Sequence, residues 1–201
     1  MKKTAILAGL IALVFSSPAF SESVQIGLSA GNDAVMASLE LQKEQDFGII
    51  AAGVTMDYVR DEYNLWEGLL AFRKDELVPG VKFGLGFKGY LGEVDSEDSV
   101  TEGKLSALAF LFEGAVELTS AMNPATIPVE AFGAVSYAPP SLSFDETESV
   151  QEYRGGLRFY LLRNAFFSLE VKHRILEFEE RGLGEWERDD TILSGGVTLK
   201  F

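Results

Sequence analysis

The side chains best suited to catalysis are few in this sequence. It holds one histidine, His173, and no cysteine. A histidine next to a serine could activate the hydroxyl as a nucleophile, and the carboxylates Glu113 and Glu117 could exchange protons with a substrate. His173, however, shares its alternating position with the apolar Val171 and Ile175. No phosphate-binding loop, nucleophile motif or metal-ligand cluster is present in the sequence. The sequence therefore predicts a protein without catalytic, cofactor-binding or metal-binding residues, which is not an enzyme.

Charge and composition narrow the choice of partners. The chain has 31 acidic and 17 basic residues, a net charge of −14, and its hydrophobic content is 47%. An acidic balance argues against nucleic acid and anionic lipid surfaces as partners. The missing cysteines exclude disulfides. Beyond the N-terminus, no run of residues is apolar enough for a transmembrane helix. The high apolar content of so acidic a chain therefore needs an explanation other than a transmembrane helix.

The dominant pattern of the sequence is alternation of apolar and polar residues, which predicts β-strands. In the clearest example Val81, Phe83, Leu85 and Phe87 alternate with lysines and glycines. Ten such segments have about the length of strands that cross a bilayer at a tilt. They are 23–30, 35–42, 49–58, 65–74, 81–91, 108–118, 128–137, 153–161, 166–175 and 193–201. We predict an all-β fold, a transmembrane antiparallel up-and-down β-barrel of ten strands, with eight as the alternative.

The polar face of these strands carries seven acidic and seven basic residues. Near neutrality on one face of an acidic chain indicates paired charges inside a barrel, because an unpaired buried ion costs several kcal/mol. A soluble barrel with an apolar interior is the alternative. The predicted interior charge network comprises Arg73, Lys82, Lys88, Glu113, Glu117, Glu130, Glu152, Arg154, Arg158, Glu170, Lys172 and Arg174, and the same face holds Glu40 and Glu67.

The connectors between the strands alternate in length. Those at 43–46, 75–80, 120–126 and 163–164 are short, whereas 92–104, 138–150 and 179–190 are long. Short periplasmic turns and long outer loops are typical of outer-membrane barrels. The long connectors hold fourteen acidic and three basic residues. Solvation of the loops by water explains their acidic composition. A second hypothesis is that they weakly bind Ca²⁺ or Mg²⁺, ions that also cross-link lipopolysaccharide.

Both ends of the sequence indicate export to an envelope. Residues 1–21 combine two lysines, an apolar run and small residues at Ala19 and Ser21, the pattern of a cleaved signal peptide. Residues 22–201 then form a single domain. The alternation continues to Phe201, as expected if the last strand pairs with the first. A final aromatic residue is similar to the signal that the barrel-assembly machinery reads. Five aromatic residues are predicted to form a girdle at the outer strand ends, namely Tyr58, Tyr63, Trp66, Tyr137 and Trp186.

One stretch resembles a known family. The sequence "YAPPSLSFDETESVQEYRGGLRFYLLRN" has a strand ending in Tyr-x-Pro-x-Ser-Leu, a polar loop and a further strand. It resembles the YfaZ family of small bacterial outer-membrane proteins, as do the early "GND" and the C-terminal Phe201. The similarity is best over residues 130–175. It implies a β-barrel in the outer membrane of a Gram-negative cell, and it brings no catalytic residue.

Three functional hypotheses follow from the sequence. The first is a non-enzymatic barrel with a structural or surface-interaction role, whose bore is filled by charged side chains. The second is a narrow, porin-like channel for small solutes. The third is a lipid-modifying or proteolytic enzyme that depends on His173. The predicted partners are outer-membrane lipid, lipopolysaccharide and the barrel-assembly machinery.

Overall fold

The computed structural model describes residues 23–60, 62–95, 102–118, 127–180 and 184–201. The predicted signal peptide lies outside the described residues. The strands are β1 (Ser23–Gly31), β2 (Ala34–Gln45), β3 (Gly48–Val59), β4 (Tyr63–Val78), β5 (Val81–Asp95), β6 (Glu102–Glu117), β7 (Val129–Ala138), β8 (Ser143–Asp145), β9 (Thr147–Leu162), β10 (Ala165–Glu180) and β11 (Gly184–Lys200). A 3-10 turn, Pro140–Leu142, precedes β8. Among the described residues, no helix is long and apolar enough to cross a membrane.

Ten long strands close into an antiparallel barrel. Each pairs with its sequence neighbours, β5 with β6 included, and β1 pairs with β11. Phe201 donates its N–H to the Val24 carbonyl and accepts one from Val24 N–H. The predicted barrel of ten strands is thus confirmed. The three-residue β8 pairs with β6 above the point where β7 ends, so β7 and β8 together occupy one place in the barrel.

The barrel has two distinct ends. The terminal end holds Ser23, Phe201 and the turns 46–47, 79–80 and 163–164. The distal end holds the turn 32–33 and the hairpins that join β5 to β6 and β10 to β11. We call the adjoining halves of the barrel the terminal half and the distal half.

The apolar face of the terminal half points outward. Phe83, Phe110 and Leu199 have 38%, 43% and 43% of their surface exposed, whereas Lys172 has only 2%. The predicted arrangement of apolar exterior and charged interior is therefore present here. An inverted, soluble barrel would have buried the three apolar residues and exposed the lysine.

In the distal half the strands extend further than the sequence predicts. β5 reaches Asp95, β6 begins at Glu102, β10 reaches Glu180 and β11 begins at Gly184. Most of the predicted loops 92–104 and 179–190 is therefore strand. The reason is a reversal of the alternation: beyond Ile175 the apolar Leu176 and Phe178 face inward, and their neighbours Glu177 and Glu179 face outward. When the apolar residues switch from one face to the other within a strand, the alternation is interrupted and the sequence does not predict one continuous strand.

Closure of the barrel leads to a test by electrophoresis. Because every strand is hydrogen-bonded on both edges, the detergent-solubilised protein should resist SDS without heat and unfold on boiling. We expect unboiled and boiled samples to migrate at different apparent masses. Identical migration of a sample with β-rich circular dichroism would contradict a stable closed barrel.

Candidate functional site: the barrel interior

A cluster of six buried charges spans the middle of the barrel. This central charge cluster consists of Asp57, Glu67, Lys88, Glu152, Lys172 and Arg174. Lys172 Nζ lies 2.7 Å from Asp57 Oδ2, and Lys88 Nζ lies 2.7 Å from Glu67 Oε2 and 2.5 Å from Glu152 Oε1. Arg174 Nη2 contacts all three carboxylates, at 3.0 Å from Asp57 and 2.8 Å from Glu152, with a shorter contact to Glu67.

The central charge cluster is electrically neutral, with three acidic and three basic side chains. A balanced set is needed because each buried ion gives up its hydration, and only several close counter-charges offset that cost. Tyrosines complete the cluster. Arg174 Nη1 donates a hydrogen bond to the Tyr63 hydroxyl at 3.2 Å, and its guanidinium lies over the Tyr90 ring at 5.8 Å. The Tyr90 hydroxyl lies 2.6 Å from Ser136 Oγ.

A second set of charges lines the terminal half. Arg73 bridges Glu40 and Glu113, the latter at 2.5 Å. Lys82 and Arg158 share Glu130, at 2.7 and 2.6 Å.

Two further contacts complete this set. Arg154 pairs with Glu170 at 2.7 Å, and Lys82 also reaches Glu117 at 3.3 Å near the rim. All twelve residues of the predicted network thus lie in ion pairs on the inner face, although Glu117 is exposed. Which charges meet is decided by strands far apart in sequence.

Sequence reasoning missed several interior residues. Asp57 was not included in the predicted network. It stands between Met56 and Tyr58, and this alternation was the signal that could have placed it on the inner face. Tyr63 and Trp186 were predicted to form an outer girdle, and both lie inside: Tyr63 is buried and Trp186 stacks on Phe178 at 4.2 Å. The reversed alternation of the distal half explains both errors. The other three predicted girdle residues, Tyr58, Trp66 and Tyr137, do face outward.

The distal half of the interior is largely an apolar core, which lies beside the ion pairs of Arg188 with Asp190 and Glu62. Its fully buried members come from strands all around the barrel and include Leu65, Tyr90, Val94, Leu105, Val150, Leu176 and Phe178, with Trp186 packed against them. The predicted polar-face side chains therefore largely fill the bore only outside this half, where apolar residues take their place. These apolar side chains pack against one another and keep almost no exposed surface.

The terminal half contains a cavity of about 350 Å³. We call it the terminal cavity; Arg73, Lys82, Arg154, Arg158, Phe132 and Phe166 are among the residues that line it. It lies on the terminal-end side of the central charge cluster, opposite the apolar core. The interior is therefore asymmetric along the barrel axis, with a packed distal half and a partly open terminal half.

His173 lies on the outer wall, as its parity predicts. Its Nδ1 is 3.0 Å from Thr191 Oγ1 and 3.3 Å from Asp189 Oδ1. A nucleophilic triad needs the acid and the hydroxyl at opposite ring nitrogens, so that one orients the ring and the other loses its proton. Here both oxygens face the same nitrogen. This arrangement does not activate Thr191.

In the part of the chain that the structure describes, potential metal ligands do not gather into a cluster. Over the described ranges, no group of three or more acidic or histidine side chains could hold a metal ion. Part of the acidic connector 92–104, including 96–101, lies outside the described residues. Divalent cation binding at the outer loops stays a prediction.

The strand pairing and the two-faced wall define the class of the molecule, a closed antiparallel barrel of ten long strands with an apolar exterior. No protein-family model and no curated protein matches the chain. Among solved structures, the NanC porin aligns over 89% of this chain and 99% of its own, with 10% identity and a TM-score of 0.44.

Two autotransporter domains are also similar. The translocator domain of NalP from Neisseria meningitidis aligns over 99% of this chain and 95% of its own, with 12% identity and a TM-score of 0.36. The beta domain of the Bordetella autotransporter Brka aligns over 89% and 97%, with 13% identity and a TM-score of 0.37. The ten-stranded architecture follows from the chain's own strand pairing.

Proposed function

We propose that the protein is an outer-membrane β-barrel with a structural or surface-interaction role and no continuous aqueous pore. The exposed apolar wall supports the membrane location, because a soluble monomer rarely exposes contiguous apolar surface on this scale. The long strands are 9 to 17 residues in length, enough to cross a bilayer at a tilt. Membership of the YfaZ family belongs to the same proposal, on the resemblance over 130–175, a stretch that spans β7 to β10.

The closed bore rests on one observation, the apolar core of the distal half. Leu65, Tyr90 and Leu176 retain no exposed surface, although they project from three different strands toward the barrel axis. A water-filled path would leave such side chains partly exposed. The central charge cluster adds a second barrier, because its oppositely charged side chains hold one another in ion pairs across the bore.

Single-channel recording in planar bilayers tests this proposal. The folded protein should add no discrete current steps at protein amounts for which a general porin, measured as the positive control, gives many. Steady steps of uniform size would defeat the closed-bore proposal and favour the narrow channel for small solutes.

Export and assembly belong to the same proposal. A signal peptide at residues 1–21 and recognition of Phe201 by the barrel-assembly machinery suit a barrel whose final residue bonds to its first strand. Lipid and lipopolysaccharide would surround the outward apolar residues. A non-enzymatic role is supported by the arrangement at His173, where both candidate partners contact one ring nitrogen.

A further inference from the structure

In two ion pairs of the terminal cavity, those of Arg154 and Arg158, the cation is more accessible than the anion. The side chains of Arg154 and Arg158 are 40% and 30% exposed, whereas those of their partners Glu170 and Glu130 are 8% and 1% exposed. The carboxylates therefore lie behind the guanidinium groups. A solute entering the cavity would meet the cations first.

The two guanidinium groups also have donors to spare. Within the described part of the chain, Arg154 and Arg158 each donate one side-chain hydrogen bond, to Glu170 and to Glu130 respectively. A guanidinium carries five N–H groups in a fixed fork that suits a carboxylate. Most of these donors are available to another acceptor.

Aromatic rings form the wall beside these arginines. The guanidinium of Arg158 lies 4.2 Å from the centroid of the Phe132 ring and 5.6 Å from that of Phe166. Arg154 lies 5.8 Å from the Phe132 centroid.

Gly156 keeps this arrangement open. It stands between the two arginines on the inner face of β9, opposite Phe132 in the register. A Cβ at Gly156 would come within 2.1 Å of the Leu169 carbonyl oxygen. No larger residue fits at Gly156, so no side chain fills the space between the two arginines and the rings.

We propose that the terminal cavity binds a small organic anion, a carboxylate attached to an apolar body. Arg154 and Arg158 hold the carboxylate, and Phe132 and Phe166 pack against the body. The volume of about 350 Å³ lies in the range of small-molecule sites, which combine apolar walls with a few polar groups. This inference does not depend on whether the bore conducts.

Calorimetric titration of the detergent-folded protein tests the site with three probes: benzoate, benzyl alcohol and inorganic phosphate. Benzoate should give saturable heat with a dissociation constant on the order of 0.1–1 mM. Benzyl alcohol, which has the ring without the charge, should give no saturable heat above a detergent blank. Phosphate, which has the charge without the ring, should bind about tenfold more weakly than benzoate. Added salt should weaken benzoate binding.

Two variants locate the binding. Arg158→Gln should raise the benzoate dissociation constant about tenfold, because a hydrogen bond between charged groups is lost. Lys74→Gln removes the same charge from an exposed position outside the cavity and should leave the constant unchanged. Phe132→Leu, which removes no charge, should weaken benzoate more than phosphate. Each variant is first checked for folding by its heat-dependent migration.

Three results would overturn the proposal. These are no saturable heat with benzoate, equal binding of benzoate and benzyl alcohol, or unchanged binding in folded Arg158→Gln. Phosphate binding as tight as that of benzoate would overturn the assignment to an organic anion. Current steps in bilayers would defeat the closed bore but not the anion site, so the failures of the two proposals are distinguishable.

Discussion

Arg174→Met is expected to lower the free energy of unfolding by about 3–5 kcal/mol, the usual cost of breaking a buried ion pair from one side. The variant leaves Asp57, Glu67 and Glu152 with two cations instead of three, and Asp57 already has one carboxylate oxygen, Oδ1, without a hydrogen-bond partner. The excess negative charge would remain on carboxylates that are at most 4% exposed. Urea titration of the detergent-folded protein, followed by tryptophan fluorescence, measures the loss.

Two further variants separate charge balance from side-chain size. Arg163→Met replaces an exposed arginine in the 163–164 turn and should change stability by about 0.5 kcal/mol or less. Arg174→Met combined with Glu152→Gln removes one charge of each sign. This double variant should lose about 1–3 kcal/mol less than the sum of the single variants. Strict additivity would contradict a coupled cluster.

Phe178→Ala is expected to cost about 3–5 kcal/mol, as for other buried aromatic residues replaced by alanine. Phe178 has no exposed surface and stacks on Trp186 with the ring centroids 4.2 Å apart. Its removal leaves a cavity inside a core that the surrounding barrel prevents from collapsing. The same urea titration gives the loss, and near-UV circular dichroism should show a weaker signal from the displaced Trp186.

Phe112→Ala is the matched control for the distal core. Phe112 is 55% exposed on the outer wall, where detergent or lipid fills the space left by its ring. The variant therefore loses only the free energy of transferring the ring out of water, about 1.5–3 kcal/mol, and it leaves no internal cavity. If Phe178→Ala cost no more than Phe112→Ala, the distal half would not be a packed core.

The two halves of the barrel differ in which face of the wall carries the apolar residues. In the distal half, mainly apolar side chains fill the barrel, and acidic residues such as Glu177 and Glu179 face outward. In the terminal half, the outer wall is apolar and the interior holds paired charges. With the proposed membrane location, each half would place its apolar residues where water is excluded, inside the distal half and against lipid around the terminal half. The height at which the alternation reverses marks the expected edge of the bilayer.

Alternation by itself determined much of this protein. Side chains on a strand point alternately to opposite faces, so the contrast between Phe83 and Lys82, repeated in ten segments, sufficed to predict the barrel and its charged interior. It also placed His173 on the outer wall. These are local properties of each strand, and they need no knowledge of its neighbours.

Only the tertiary structure decided which charges meet and where the apolar core lies. Lys172 pairs with Asp57, which is 115 residues away, because closure and stagger of the strands bring β3 and β10 to one height. The identity of such partners depends on the shear of the whole barrel, which no single strand encodes. The distal core could not be predicted for a related reason. Leu176 and Phe178 lie inside the barrel in the part of the wall where the apolar residues change from the outer to the inner face.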